Sequence, residues 1–322
     1  MVRGAFNLRR VVDFHCDVLS KMTDDPSISF MNDHRLDVTY ERLQHGSVSL
    51  QCFAIYLLEK WGQPRFEYIL NGIDVFRNRV IPSGEGVEWL RWKDEVSQIA
   101  HGKPWGMLSI EGADGLEGNL FYVKTVYELG VRFLGLTWNY ANWAADGVLE
   151  PRKGGFTKKG KQLVELCNDI GLLLDVSHLS ETGFWELVEM TKRPFIASHS
   201  NAYEVCSNAR NLSNEQIRAI VAMDGRIGLT FVPWFVKSDS NVVTPHDLIP
   251  HIEHMCELGA EKYLMFGSDF DGIESWIEDL EHPGKYIQFA ELLLQYYSEE
   301  QVNLWLSQNA LSYLEAYLPS RR

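Results

Sequence analysis

Eight short, almost unbroken apolar runs punctuate this 322-residue chain, and most are followed by a stretch with helical spacing. The runs are Val11–Val18, Val48–Leu58, Met107–Ile110, Val131–Thr137, Leu172–Ser177, Pro194–Ser198, Arg226–Val232 and Tyr263–Ser268. Strands covered on both faces read this way, because neither face needs polar residues. Helices are expected over Arg65–Val80, Leu116–Leu129, Lys158–Ile170, Glu181–Thr191, Asn214–Met223 and His246–Leu258. Ser180 and Ser213 stand where N-caps belong, and Gly130, Gly171, Gly225 and Gly259 where helices end. Alternating strands and helices imply an α/β fold with a parallel sheet. Eight strands at this length favour closure into a (β/α)8 TIM-type barrel, with a doubly wound open sheet as the rival. Residues 1–322 read as one barrel domain, with a helical C-terminal tail after Gly272 and an exposed loop over Glu150–Gly160.

The chain is 45% hydrophobic and 23% charged, as a protein with a sizeable core should be. Its formal net charge of −14 argues against nucleic acid and against an anionic membrane surface as partners, since both need clustered Lys and Arg. Met1–Arg10 holds three arginines but no apolar segment of a signal peptide, and no run reaches the ~18 apolar residues that a bilayer span needs. The five cysteines lack CxxC spacing and read as reduced, mostly buried thiols. A cytoplasmic protein without a membrane partner is expected.

Polar residues of one kind interrupt the apolar runs at their carboxyl ends. His15 and Asp17 close the first, Glu111 the third, His178 the fifth, His199 the sixth and Asp269 the eighth. In a barrel all these ends meet at one mouth, where catalytic residues sit. Strand alternation puts His15 and Asp17 on one face and Cys16 on the other. An isolated HxD pair, or one His on an apolar strand, is weak evidence, but recurrence at five strand ends is not. Glu111 has two oxygens and can bind two cations, and two-metal sites hold their ions roughly 3.5–4 Å apart. Imidazole and carboxylate ligands suit Zn²⁺, with Mn²⁺ and Co²⁺ as alternatives. Asp269 suits a general base that later protonates the leaving amine, and it is preferred over Asp271 because Gly272 already turns the chain. His251 and His254 are three apart on a helix and read as a solvated face. His34, His45, His101, His246 and His282 lack any strand-end context.

Taken together, Asp13-Phe-His15-Cys-Asp17, Ile110-Glu111-Gly112, Asp175-Val-Ser-His178, Ser198-His199-Ser200 and Gly267-Ser-Asp269-Phe-Asp271-Gly resemble the membrane dipeptidase (renal dipeptidase) family, the M19 peptidases of the amidohydrolase superfamily. The resemblance covers nearly the whole chain. It implies a zinc-dependent dipeptidase with a binuclear site at the C-terminal mouth and a water activated between two Zn²⁺ ions. His15 and Asp17 would bind one zinc, His178 and His199 the other, and Glu111 both. Asp269 matches the family's catalytic acid. Arg210, in Ala209-Arg210-Asn211-Leu212, matches the arginine that holds the substrate's terminal carboxylate by two parallel hydrogen bonds. The resemblance also implies a small dipeptide substrate, tolerance of D-residues at its C-terminal position, and a homodimer. One departure stands out. Where the family carries a histidine in a Leu-Thr-His context that contacts the reacting carbonyl, this chain reads Leu136-Thr137-Trp138-Asn139. The indole of Trp138 can donate a hydrogen bond but cannot become a cation. Two rivals stay open: the same metal centre acting on another small amide, lactone or phosphoester, and a catalytically weak metal-binding homologue.

Overall fold

The computed structural model describes residues 10–99, 103–238 and 242–321, so residues 1–9 of the N-terminal segment and His101 lie outside the described residues. Among the described residues nine strands form one parallel sheet: β1 (Val11–Asp13), β2 (Val48–Tyr56), β3 (Glu88–Trp89), β4 (Trp105–Glu111), β5 (Val131–Gly135), β6 (Leu173–Asp175), β7 (Ile196–Ala197), β8 (Arg226–Leu229) and β9 (Leu264–Phe266). Eight of them run round in the order β1-β2-β4-β5-β6-β7-β8-β9, and β9 returns to β1 through Asp13 and Phe266. The barrel is therefore closed. The two-residue β3 is an addition that the sequence pattern did not signal, and it pairs beside the first residues of β4.

All eight apolar runs became strands, but several stop sooner than their apolar length suggests. β1 ends at Asp13, so His15 and Asp17 belong to the turn that follows it, not to the strand. The Asp13 carboxylate accepts from the His15 and Ser268 backbone N–H groups (3.2 and 2.9 Å), and beyond it Cys16 makes an isolated bridge to Phe270. The expected helix ends hold closely. Lys158–Ile170 is helical over that span, and Ser180 and Ser213 accept from Gly183 and Gln216. The helix expected from Leu116 starts at Leu120, because Glu117 and Gly118 take left-handed conformations. At the end of Asn214–Ala222 the left-handed residue is Asp224. Gly225 serves a different need, since a Cβ there would strike the Phe195 carbonyl oxygen.

The expected tail is helical and packs on the barrel, ending in the helix Asn309–Tyr317. Tyr313 and Leu314 join Val12, Phe14, Met107 and Phe133 in one buried cluster. Tyr313 donates to the Pro194 carbonyl at 2.8 Å, and Arg226 Nε donates to that of Asn309 at 2.8 Å. Both anchors lie at the amino ends of β7 and β8, so the tail closes the floor and leaves the opposite mouth open. No helix among the described residues is long and apolar enough to cross a membrane.

Candidate active site

Each polar residue at a strand end arrives at the mouth by a specific local device. Asp17 occupies the N-cap of the helix Val18–Asp24, yet its side chain makes no capping bond. An aspartate there normally accepts from the first turn; this one instead turns toward His15 Nε2, 3.3 Å away. His178 and Asp269 both sit at positive φ (71° and 68°), a region that costs a non-glycine residue about 1–3 kcal/mol. The His178 turn is held by its own carbonyl, which accepts from Val148 N (2.7 Å) and Thr137 Oγ1 (3.1 Å). Gly272 leaves the space that Asp17 and Asp269 occupy, because a Cβ there would collide with both carboxylates.

The side chains converge around Glu111. Its Oε2 lies 3.5 Å from His15 Nε2, and its Oε1 lies 2.8 Å from His178 Nε2 and 3.6 Å from His199 Nε2. Asp269 Oδ1 is 3.7 Å from His15 Nε2. His15, Asp17, His178 and His199 are at most 8% exposed. The structure thus brings together all six residues picked from strand ends, across 255 positions of sequence.

This donor set fits cations. His178 Nδ1 lies 2.8 Å from the amide oxygen of Asn139, so that nitrogen carries the proton. Ser198 Oγ donates to Asp175 Oδ2 and therefore accepts from His199 Nδ1 at 2.7 Å. Both Nε2 atoms then present lone pairs, 3.0 Å apart and facing a carboxylate oxygen. Burial, reinforced for His178 by the Arg210 charge, pushes His178 down to about 4 and His199 well below its ordinary value, so both are neutral at pH 7. Burial alone would raise Glu111, but His15 and His178 outweigh it and hold that carboxyl well below its usual range. His15 Nε2 and Asp17 Oδ1 are buried without a hydrogen-bond partner. Burial alone would lower His15, but Asp17 and Glu111 outweigh it and hold its pKa well above the ordinary value, so a positive charge already sits among these carboxylates. A divalent cation would supply that charge and leave the His15 Nε2 lone pair free to ligate. His15 with Glu111 and His199, and His15 with Asp17 and Asp269, can each close on an ion.

Asp269 differs from the residues around it. Burial raises its carboxyl to about 8, with Asp17 and Glu111 adding to the rise, while His15 and Arg210 oppose it. Asp271 turns away: it pairs with Lys21 at 2.9 Å and accepts from Asp37 N and Val38 N, a clamp between loops. Arg210 is only 6% exposed, with Nε and Nη2 unpartnered and its guanidinium 5.4 Å from the Phe235 ring. It lines a cavity of about 1130 Å³ above the cluster, as do Trp138, Glu111 and Asp269. Trp138 stands 5.2 Å from the Tyr56 ring and 6.1 Å from that of His178.

Two expectations need correction. His251 is fully buried, not part of a solvated face. Its Nδ1 accepts from Ala202 N (3.1 Å) and its Nε2 donates to Val236 O (2.8 Å), tying together the loops after β7 and β8. His254 is half-buried and bonds Asn214 Oδ1 at 2.7 Å. The neighbours Leu248, Ile252 and Met255 form the buried stripe to which His251 belongs, a helical spacing that was readable in advance. Residues that the sequence did not single out include Asn139, Asp175 and Ser198, which orient the two histidines, and Asp13. Asp13 accepts from Ser268 Oγ (2.7 Å) and Tyr286 OH (3.0 Å) beneath His15. An aspartate inside an apolar strand, as at Asp13 and Asp175, was the available signal.

A closed (β/α)8 barrel with a buried His/Asp/Glu cluster at its carboxyl mouth defines a metal-dependent hydrolase. Residues 6–317 match the family model of the membrane dipeptidases, peptidase family M19, and the chain belongs to that family. Among its relatives, an uncharacterized protein in the pqqA 5′ region of Klebsiella pneumoniae is 34% identical over 206 residues, 61% of this chain and 73% of that protein. The dipeptidase aclJ of Aspergillus oryzae is 26% identical over 273 residues, 80% of this chain but only 64% of that relative's length. A metallo peptidase from Rhodobacter sphaeroides, solved with a phosphinate mimic of the dipeptide L-Ala-D-Ala, has the same fold at TM-score 0.85. It is 23% identical, with 97% of this chain and all of that one covered.

Proposed function

We propose that this chain is a zinc-dependent dipeptidase, with residues 1–322 acting as one catalytic domain. The observation that supports it most is the placement of Glu111, whose two oxygens face different histidines. His15 and Asp17 would hold one Zn²⁺, His178 and His199 a second, and Glu111 both. When bound, such cations supply a Lewis acid for the scissile carbonyl and acidify the attacking water. Asp269, at the edge of the cluster beside His15 and lining the cavity, takes the proton from that water and returns it to the leaving amine. Arg210 reads the free carboxylate of the C-terminal residue through its two unpartnered nitrogens. Trp138 walls the site beside His178, and its indole N–H is the donor this chain has where the family uses a histidine. D-residues at the C-terminal position are accepted, since charge and metal fix the orientation. The protein acts in the cytoplasm, as a homodimer.

The test is hydrolysis of a dipeptide panel with L- and D-residues at the C-terminal position. Zinc-loaded protein is compared with chelated protein and with Asp269→Asn. Turnover should require both zinc and Asp269. Two bound metals per chain with no turnover anywhere on the panel would refute the peptidase activity. Hydrolysis that survives Arg210→Ala would mean that the site reads another amide.

A further inference from the structure

At about 1130 Å³, the cavity exceeds the common range of ligand pockets, roughly 300–1,000 Å³, and two small residues leave most of it to water. Several of the charges on its rim are already engaged. Lys21 pairs with Asp271 (2.9 Å), Lys60 with Asp24 (2.6 Å), and Asp37 accepts from the indole of Trp276 (3.0 Å). The rim also presents large apolar side chains to solvent. Trp234 is 47% exposed and Leu149 42%, and they reach the mouth from the loops after β8 and β5. Large apolar side chains gathered at one opening mark a binding surface. This surface also has a direction: Trp234 packs edge-on against Phe235 at 5.9 Å, and Phe235 lies under the Arg210 guanidinium. The apolar wall therefore starts where the carboxylate is held.

We propose that the preferred substrates are dipeptides with a large aromatic residue at the C-terminal position, its side chain received by Phe235 and Trp234. This rests on the dipeptidase reading. Burying a phenylalanine side chain raises affinity roughly 10- to 100-fold over a methyl group. Because that contact forms in ground state and transition state alike, the gain appears mainly in KM.

Zinc-loaded protein is assayed with Ala-Ala, Ala-Phe, Ala-Trp and, as the reversed control, Phe-Ala. Ala-Phe and Ala-Trp should exceed Ala-Ala in kcat/KM by about tenfold or more, with a smaller gain for Phe-Ala. Trp234→Ala should lower the Ala-Phe to Ala-Ala ratio about fivefold or more through KM, and Trp234→Phe should keep it. Cleavage of Ala-Ala with no aromatic preference, or a preference untouched in Trp234→Ala, overturns the proposal and leaves the dipeptidase activity standing. If Trp234→Ala does not fold, the substrate series and Trp234→Phe still decide. Failure to cleave any of the four with both zincs bound sinks the dipeptidase reading itself.

Discussion

Replacing Arg210 with methionine should make the ligand-free protein more stable and the enzyme far worse. The side chain is buried with Nε and Nη2 unpartnered, and each such donor costs about 1–3 kcal/mol in desolvation. The same desolvation pulls its pKa down to about 10, which corresponds to about 3 kcal/mol against the charged form at neutral pH and already contains the cost of both donors. The Phe235 ring at 5.4 Å returns about 0.5–2 kcal/mol. Methionine fills a similar volume without charge, so the net change is a gain of about 1–3 kcal/mol. At about 2.1 cal/mol/K per residue, a chain of 322 residues should rise by about 2–4 °C in Tm. The same substitution removes two charge-assisted bonds to a substrate carboxylate, at about 1.5–3 kcal/mol each, and kcat/KM should fall roughly 10²- to 10⁴-fold. Differential scanning calorimetry of metal-free protein and dipeptide kinetics of zinc-loaded protein read the two effects separately. A lower Tm would show that Arg210 has a partner in the resting protein. An unchanged kcat/KM would show that it holds no carboxylate.

Asn139→Leu removes the acceptor that fixes the His178 tautomer, and zinc affinity measured by chelator competition should drop about 10- to 100-fold. His251, pushed down to about 4 by burial, binds no proton in the folded state until well below the unfolded value near 6.5. Its contribution to stability is thus complete above pH 6.5 and lost as pH falls toward 4, by about 1.4 kcal/mol per pH unit. Urea unfolding at pH 7 and pH 5 should show a smaller acid loss in His251→Gln than in the parent; equal losses would mean that His251 is protonated in the native state. Tyr313→Ala empties the barrel floor and should cost about 3–5 kcal/mol in the same assay, whereas a loss below 1 kcal/mol would show that the tail does not plug the barrel.

Strand positions, helix caps and the strand-end residues were legible in the linear sequence because each rests on a local rule. Period and apolar content mark β2, a serine marks the cap at Ser180, and a histidine or carboxylate after an apolar run marks a barrel mouth. Resemblance to the family added Arg210 and the expected roles. Other features depend on what a side chain meets once the barrel closes. Nothing near Asn139 in sequence says that it will face the back of the His178 imidazole, and Ser198, though next to His199, meets the Asp175 that orients it only because β6 and β7 pair in the sheet. Asp17 carries the residue type of a cap and is denied that use by its approach to His15. His251 read as solvated because its partners, Ala202 N and Val236 O, come from two loops that pack around it only in the fold. Arg210 and the aromatic wall beside it likewise come from segments after different strands, β7 and β8. Periodicity and caps act over a few residues and so belong to the sequence; hydrogen-bond partners, burial and cavity shape act across the barrel and were decided by tertiary structure.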